Sequence, residues 1–240
     1  MLARVLIAIA ALIGIGVTFN LGFWQWDRGQ QRSALHQAME ARGRMAPLAA
    51  GELPAQLGAD DPLLHRPVLL RGTWVAERTL FLDNRQMNGV PGFYVVTPLR
   101  LQGRDDAVLV QRGWVQRNFS RRDALPPVQT PAGIVELRGR LAPPPAKLYA
   151  FDKEESGAIR QNLDLTRFRA ETGLPLLPYS VQQTGAASEG LLRQWPQAGS
   201  GAEKNYGYAF QWWAIAATIA FLYVWFQFVV PRRRRQARAL

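Results

Sequence analysis

The chain has 240 residues, two histidines and no cysteine, with a formal charge of +11 and a pI near 10.9. Without cysteine there are no structural disulfides, no thiolate nucleophile and no cysteine-based zinc or copper site. So basic a chain first suggests nucleic acid, but Arg4, Arg232, Arg233, Arg234, Arg235 and Arg238 lie beyond two apolar stretches, leaving 23 basic against 18 acidic residues between them, a net of +5. Arginines beside a hydrophobic stretch are topogenic and face lipid headgroups, so the expected partner is membrane lipid and not nucleic acid.

The first of these stretches, Val5 to Trp24, carries no charge. At about 20 residues it is long enough to cross the hydrocarbon of a bilayer. A cleaved signal peptide is the rival reading. The run is long for one, and no convincing small-x-small cleavage pattern precedes Phe23, Trp24 and Trp26, which read as an interfacial aromatic belt. Residues 26–42 are rich in helix formers and are expected to continue the helix out of the membrane until Gly43 ends it.

From Arg66 onward short β-rich runs alternate with turn residues, at residues 68–74, 79–83, 93–99, 107–115 and 134–141. Their spacing predicts at least five strands in a sheet or small barrel, with Asn88-Gly89 and Pro91-Gly92 as the turn chemistry between the second and third. Beyond Pro143 to Pro145 the β pattern continues at residues 148–152. A helix is expected over residues 166–172 before Gly173, a last strand over Leu176 to Val181, and a loop from Gly185 to Gly201.

Tyr208 to Val230 is again uncharged, ending at Pro231 before four arginines. The positive-inside rule puts Arg232 to Arg238 in the cytoplasm, and two spans return the N-terminus to the same side; Arg28 and Arg32 weakly oppose this. The expected organisation is a first transmembrane helix over residues 1–26 and a domain over 27–204 in a bacterial periplasm. A second transmembrane helix follows over 205–230, and a basic cytoplasmic tail over 231–240. The fold class is an α+β membrane protein, two transmembrane helices flanking one β-rich extramembrane domain.

Four segments resemble the Surfeit locus protein one family of cytochrome c oxidase assembly factors. They are L-G-F-W-Q-W-D-R at Leu21 to Arg28, N-G-V-P-G-F-Y-V-V-T-P-L at Asn88 to Leu99, V-L-V-Q-R-G-W-V at Val108 to Val115, and Y-G-Y-A-F-Q-W-W at Tyr206 to Trp213. Their order, with a span at each end and a β-rich domain between, makes the resemblance specific over almost the whole chain. It implies assistance to the haem-bearing membrane subunit of the oxidase, by haem a delivery or by scaffolding. It also implies contact with that subunit and with haem a synthase, in the bacterial inner membrane, and no catalytic step. The competing reading is a structural or scaffold subunit of another membrane complex without a haem role.

The residues themselves offer little catalytic chemistry. His36 and His65 sit in no H-E-x-x-H or G-x-S-x-G setting, no phosphate-binding glycine loop occurs, and Asp83, Asp105 and Asp106 read as solvated turn residues. Two groups remain as candidate sites. Arg112, Gly113 and Trp114 follow an apolar strand; they either meet a partner or a haem propionate, or form a strand end with Gly113 as a bulge. Trp24, Gln25 and Arg28 at the outer end of the first span and Tyr208, Gln211 and Trp212 near that of the second each share a helix face. They either line a cleft for a haem or partner helix, or are belt residues. The resemblance also carries a departure: relatives commonly read K-H-x-G-Y-A-x-Q-W where this chain has Asn205 in the histidine position. A carboxamide is a poor axial donor to haem iron, so haem a binding is expected to be weak or absent. His36 or His65 would have to substitute.

Overall fold

The computed structural model describes residues 2–58, 61–118, 120–121, 124–148, 157–196 and 201–236, with the side chains of 234 and 235 left aside. It divides into two units, one made of the chain ends (Met1–Gln37 and Gln197–Leu240) and one of Ala38–Pro196.

Helix α1 (Leu2–Gly43), most of which belongs to the first unit, is continuous through the apolar run and the polar stretch after it, ending at Gly43 as its composition predicts. The returning helix α3 (Ala202–Val224) does not stop at Pro231. It passes through a π-helical turn, Trp225–Val229, into α4 (Val230–Gln236). Proline lacks the N–H that an α-helix needs at each position. The preceding turn is already widened, its Val230 N–H donating to the Trp225 carbonyl, so the chain passes Pro231 and stays helical. Both helices are long and apolar enough to cross a membrane. Arg238 lies outside the described residues.

The second unit is a five-stranded barrel. Strand β1 (Pro67–Trp74) pairs antiparallel with β5 (Ile134–Ala142), β5 antiparallel with β7 (Leu176–Gln183), and β7 parallel with β4 (Ala107–Gln116). Strand β4 then pairs antiparallel with β3 (Val90–Leu101), and β3 returns to β1 through Gly72↔Leu101 and Trp74↔Leu99. Closure removes the exposed sheet edges that invite association. Each strand sends alternate residues inward: Val68 and Leu70, Leu99 and Leu101, Val108 and Val110, Leu137 and Leu141, Tyr179 and Val181 form one buried cluster. Burying each such side chain contributes about 1.5–3 kcal/mol.

Strand β4 is buried along both faces, because Ala107 and Leu109 on its other side pack under helix α2 (Leu165–Thr172) with Phe168 and Leu176. Asp164 caps α2 by accepting from the Arg167 N–H, and Gly173 (φ 68°) closes it in the left-handed conformation. Strand β2 (Leu80–Met87) extends the sheet by pairing with β3, and a short parallel β6 (Ile159–Arg160) pairs with β2.

Of the two expected turns only Asn88-Gly89 is one, both residues having positive φ (52° and 78°). Pro91-Gly92 lies within β3. A Cβ on Gly92 would fall on the Val115 carbonyl and the Trp114 indole, so this glycine serves close strand packing and not chain reversal. The β pattern at residues 148–152 falls outside the described residues after Leu148, as do residues 197–200 of the expected loop.

Candidate functional site

The Arg112-Gly113-Trp114 group lies inside β4, not beyond it. The β3–β4 register skips one residue between Val95↔Gly113 and Val96↔Gln111, so Arg112 is the extra residue of a bulge. Its side chain is 0 % exposed. Nη1 donates to Thr130 Oγ1 (2.7 Å), Nη2 donates to the Gln129 carbonyl (2.6 Å) and lies 3.0 Å from Glu189 Oε2, and the guanidinium sits 4.7 Å from the Trp74 ring centre. Glu189 also pairs with Arg193, whose Nε donates to the Arg112 carbonyl.

Trp114 is equally inward, its Nε1 donating to the Arg85 carbonyl (2.8 Å) while its backbone exchanges two hydrogen bonds with Leu192. A Cβ on Gly113 would stand 2.7 Å from the Leu192 carbonyl oxygen, so only glycine admits that segment. These three residues pin residues 189–193 to the barrel. Their burial leaves no surface at which Arg112 or Trp114 meets a partner, and in place of the expected contact surface there is an internal clamp.

The first unit is assembled differently. Thr18, Gly22 and Gly29 of α1 and Ala202, Ala209 and Ala216 of α3 are the buried residues of the helix pair, and the three alanines recur every seven residues. Small residues let two backbones approach closely where lipid removes the hydrophobic drive to associate. Large rings fill the space they leave. A Cβ on Gly22 would fall on the Trp213 indole, and one on Gly29 would be 2.6 Å from Tyr206 Cε1. Trp26 packs against Tyr206 (4.8 Å between ring centres) and Trp213 (6.0 Å), Phe23 packs against Trp213 (5.4 Å), and Trp213 Nε1 donates to the Phe19 carbonyl.

A polar relay lies next to this aromatic cluster. Asn205 donates through Nδ2 to Gln25 Oε1 (2.6 Å) and accepts at Oδ1 from Arg32 Nη1 (2.9 Å). Both ends of the Asn205 carboxamide are thereby engaged.

Of the six residues expected to line a cleft, Gln25 alone takes part in this inter-helix relay. Trp24 (53 % exposed) and Arg28 stack on each other at 5.7 Å, Tyr208 is 53 % exposed, Gln211 is also exposed and Trp212 is half-buried. Gly22, Gly29, Arg32, Tyr206 and Trp213 also meet between the helices, and a shared helix face does not single them out. The signal for them is the seven-residue spacing of small side chains, Gly22 to Gly29 and Ala202 to Ala209 to Ala216.

The family model described as "SURF1 family" matches residues 12–217, through both long helices and the barrel between them. The chain belongs to the SURF1 family. A SURF1-like protein of Drosophila melanogaster is 28 % identical over 236 residues, 90 % of this chain and 75 % of that protein. A SURF1-like protein of Monosiga brevicollis is 32 % identical over 135 residues, 52 % of this chain and 49 % of the relative. In Saccharomyces cerevisiae the cytochrome oxidase assembly protein SHY1 is 29 % identical over 101 residues, 41 % of this chain but 25 % of that protein. The matched segment thus spans three-quarters of the Drosophila SURF1-like protein and half or less of the other two.

The relay is built on Asn205, the residue that stands where the sequence resemblance implies a histidine. No imidazole is in the relay, and Asn205 presents an amide nitrogen and oxygen already bonded to Gln25 and Arg32. That donor set does not fit axial ligation of haem iron.

Proposed function

We propose that this chain is a non-enzymatic assembly factor for cytochrome c oxidase that assists maturation of the haem-bearing membrane subunit, chiefly by scaffolding. The observation that carries this reading is the family match running unbroken from residue 12 to residue 217, together with the assembly role named for the yeast relative. Scaffolding is favoured over haem a delivery because the relay at Asn205 supplies hydrogen bonds, not an iron ligand. Haem a binding would accordingly be weak or absent. The outward Trp24, Arg28, Tyr208 and Gln211 would then meet a helix of the oxidase subunit, or of haem a synthase, at the membrane interface, where aromatic and arginine side chains anchor contacts. On this reading the chain sits in a bacterial inner membrane with both termini cytoplasmic and the barrel periplasmic, as the arginines after the second span direct.

The test is isolation of the tagged chain from membranes of cells that make haem a. The haem-bearing subunit should co-purify, and the free chain should show little haem absorption. A strong haem signal in the free chain would favour delivery over scaffolding, and absence of any oxidase subunit would count against the assembly reading itself.

A further inference from the structure

A cavity of about 620 Å³ opens beside the barrel, lined by the last turn of α1 (Met39, Gly43), the loop at Pro47, the start of β1 with His65 just before it, β5 at Arg138 to Arg140, and Thr184 after β7. Its volume is within the range of small-molecule sites, about 300–1,000 Å³. The lining has two chemical halves. Met39, Pro47, Pro67 and Leu69 give an apolar wall, while His65, Arg138 and Arg140 give a basic one, and no carboxylate belongs to the lining among the described residues.

Within the basic wall Arg140 has no carboxylate partner among the described residues. Arg140 is half-buried, yet its Nε and Nη2 both donate to one neutral acceptor, Gln182 Oε1 (2.9 and 2.6 Å). Burial lowers its pKa, the cost of partly removing that charge from water. His65 has a φ of 70°, a left-handed backbone conformation that costs energy in any residue but glycine, held by its N–H donating to the Leu141 carbonyl (2.9 Å). Its Nδ1 is buried without a hydrogen-bond partner. Burial first, then the charges of Arg140 and Arg42, hold this imidazole below its ordinary pKa and therefore neutral near pH 7.

We propose that this cavity binds an amphiphile whose anionic head, a carboxylate or phosphate, meets His65, Arg138 and Arg140 while its apolar body lies on Met39, Pro47 and Leu69. An anion there pairs with the Arg140 guanidinium, which the protein leaves on a neutral acceptor, and its charge favours the protonated form of the neighbouring His65 imidazole. Binding is therefore linked to protonation of His65 and strengthens as pH falls.

The experiment uses the full chain in a neutral detergent carrying His36→Gln, so that His65 gives the sole imidazole NMR signal of a chain with two histidines. Its pH titration is followed with decanoate, with inorganic phosphate, and in nanodiscs of phosphatidylglycerol. The expected result is an upward displacement of the His65 titration with decanoate or with phosphatidylglycerol but not with phosphate at equal concentration. A response to decanoate alone assigns a free carboxylate amphiphile, and a response to phosphatidylglycerol assigns a lipid head. Arg140→Gln should weaken the response about tenfold, and Arg138→Gln, at an exposed position that does not disturb folding, should weaken it in the same direction. No displacement with either amphiphile, an equal one with inorganic phosphate, or full binding by both arginine variants would overturn the proposal.

Discussion

Replacing Arg112 by alanine separates the buried clamp from a partner-facing surface. The substitution removes charge-assisted bonds to the Gln129 carbonyl and Thr130 Oγ1, each worth roughly 1.5–3 kcal/mol when a charged group is involved. It also removes the Trp74 ring contact and opens a void under the bulge. Removing one member of a buried ion pair costs about 3–5 kcal/mol. Here the lower end applies, because Glu189 is partly exposed and keeps Arg193. The expected loss is about 3 kcal/mol, a large part of the ~5–15 kcal/mol that holds a typical domain folded. Denaturant titration of the detergent-solubilised protein, followed by tryptophan fluorescence, reads this directly, and the steady-state amount in membranes should fall in parallel. Arg112→Lys keeps the charge but not the forked geometry and should lose less. An Arg112→Ala protein of unchanged stability that nonetheless fails in oxidase assembly would refute the clamp and restore a recognition role.

Gly22→Leu places a side chain where the Trp213 indole lies and should part the helix pair. A short bismaleimide linking Gly14→Cys to Ile219→Cys should then react far less than in the parent with the same two cysteines. Asn205→His puts an imidazole where the carboxamide holds Gln25 and Arg32; haem a titration in detergent should show tighter binding than the parent, and equal binding would mean that this position does not face haem. Tyr179 donates its hydroxyl to the Pro54 carbonyl, and burial raises its pKa from 10.0 to about 12. The folded state thus keeps a proton that the unfolded chain releases, so this contribution is complete below pH 10 and fades as pH rises from about 10 to 12. Tyr179→Phe should remove that part of the alkaline loss, read as unfolding midpoint against pH. An alkaline phosphatase fused at the C-terminus should be inactive, because the arginines after α3 direct that end to the cytoplasm.

Elements governed by local pattern were legible. The uncharged runs of the two long helices, the alternation in β1 and β5, the Asn88-Gly89 turn and the Gly173 helix stop each carry their signal within a few residues. What depended on distant partners was not. Pro91-Gly92 has the composition of a turn, but whether Gly92 reverses the chain or admits Trp114 is decided by a strand more than twenty residues away. Arg112 next to Gly113 and Trp114 has the residue types of a recognition patch. Its burial follows from a bulge against β3 and from Glu189, neither of which the local segment reveals. At the helix pair, reasoning from shared faces chose Trp24, Arg28 and Tyr208, which point outward. The packing is set by where backbones can approach, and that is written in Gly22, Gly29 and the alanines. The chain's continuation past Pro231 rests on a π-helical turn for which no residue in that stretch gives warning.

The central claim is a role in oxidase assembly. It is tested most directly by the haem a content and cytochrome c oxidase activity of membranes from a strain lacking this chain, set against the same strain carrying it on a plasmid. Both quantities should fall together in the deletion, with haem a synthase still present, and should return on complementation. Unchanged haem a content and oxidase activity in the deletion strain would contradict the account.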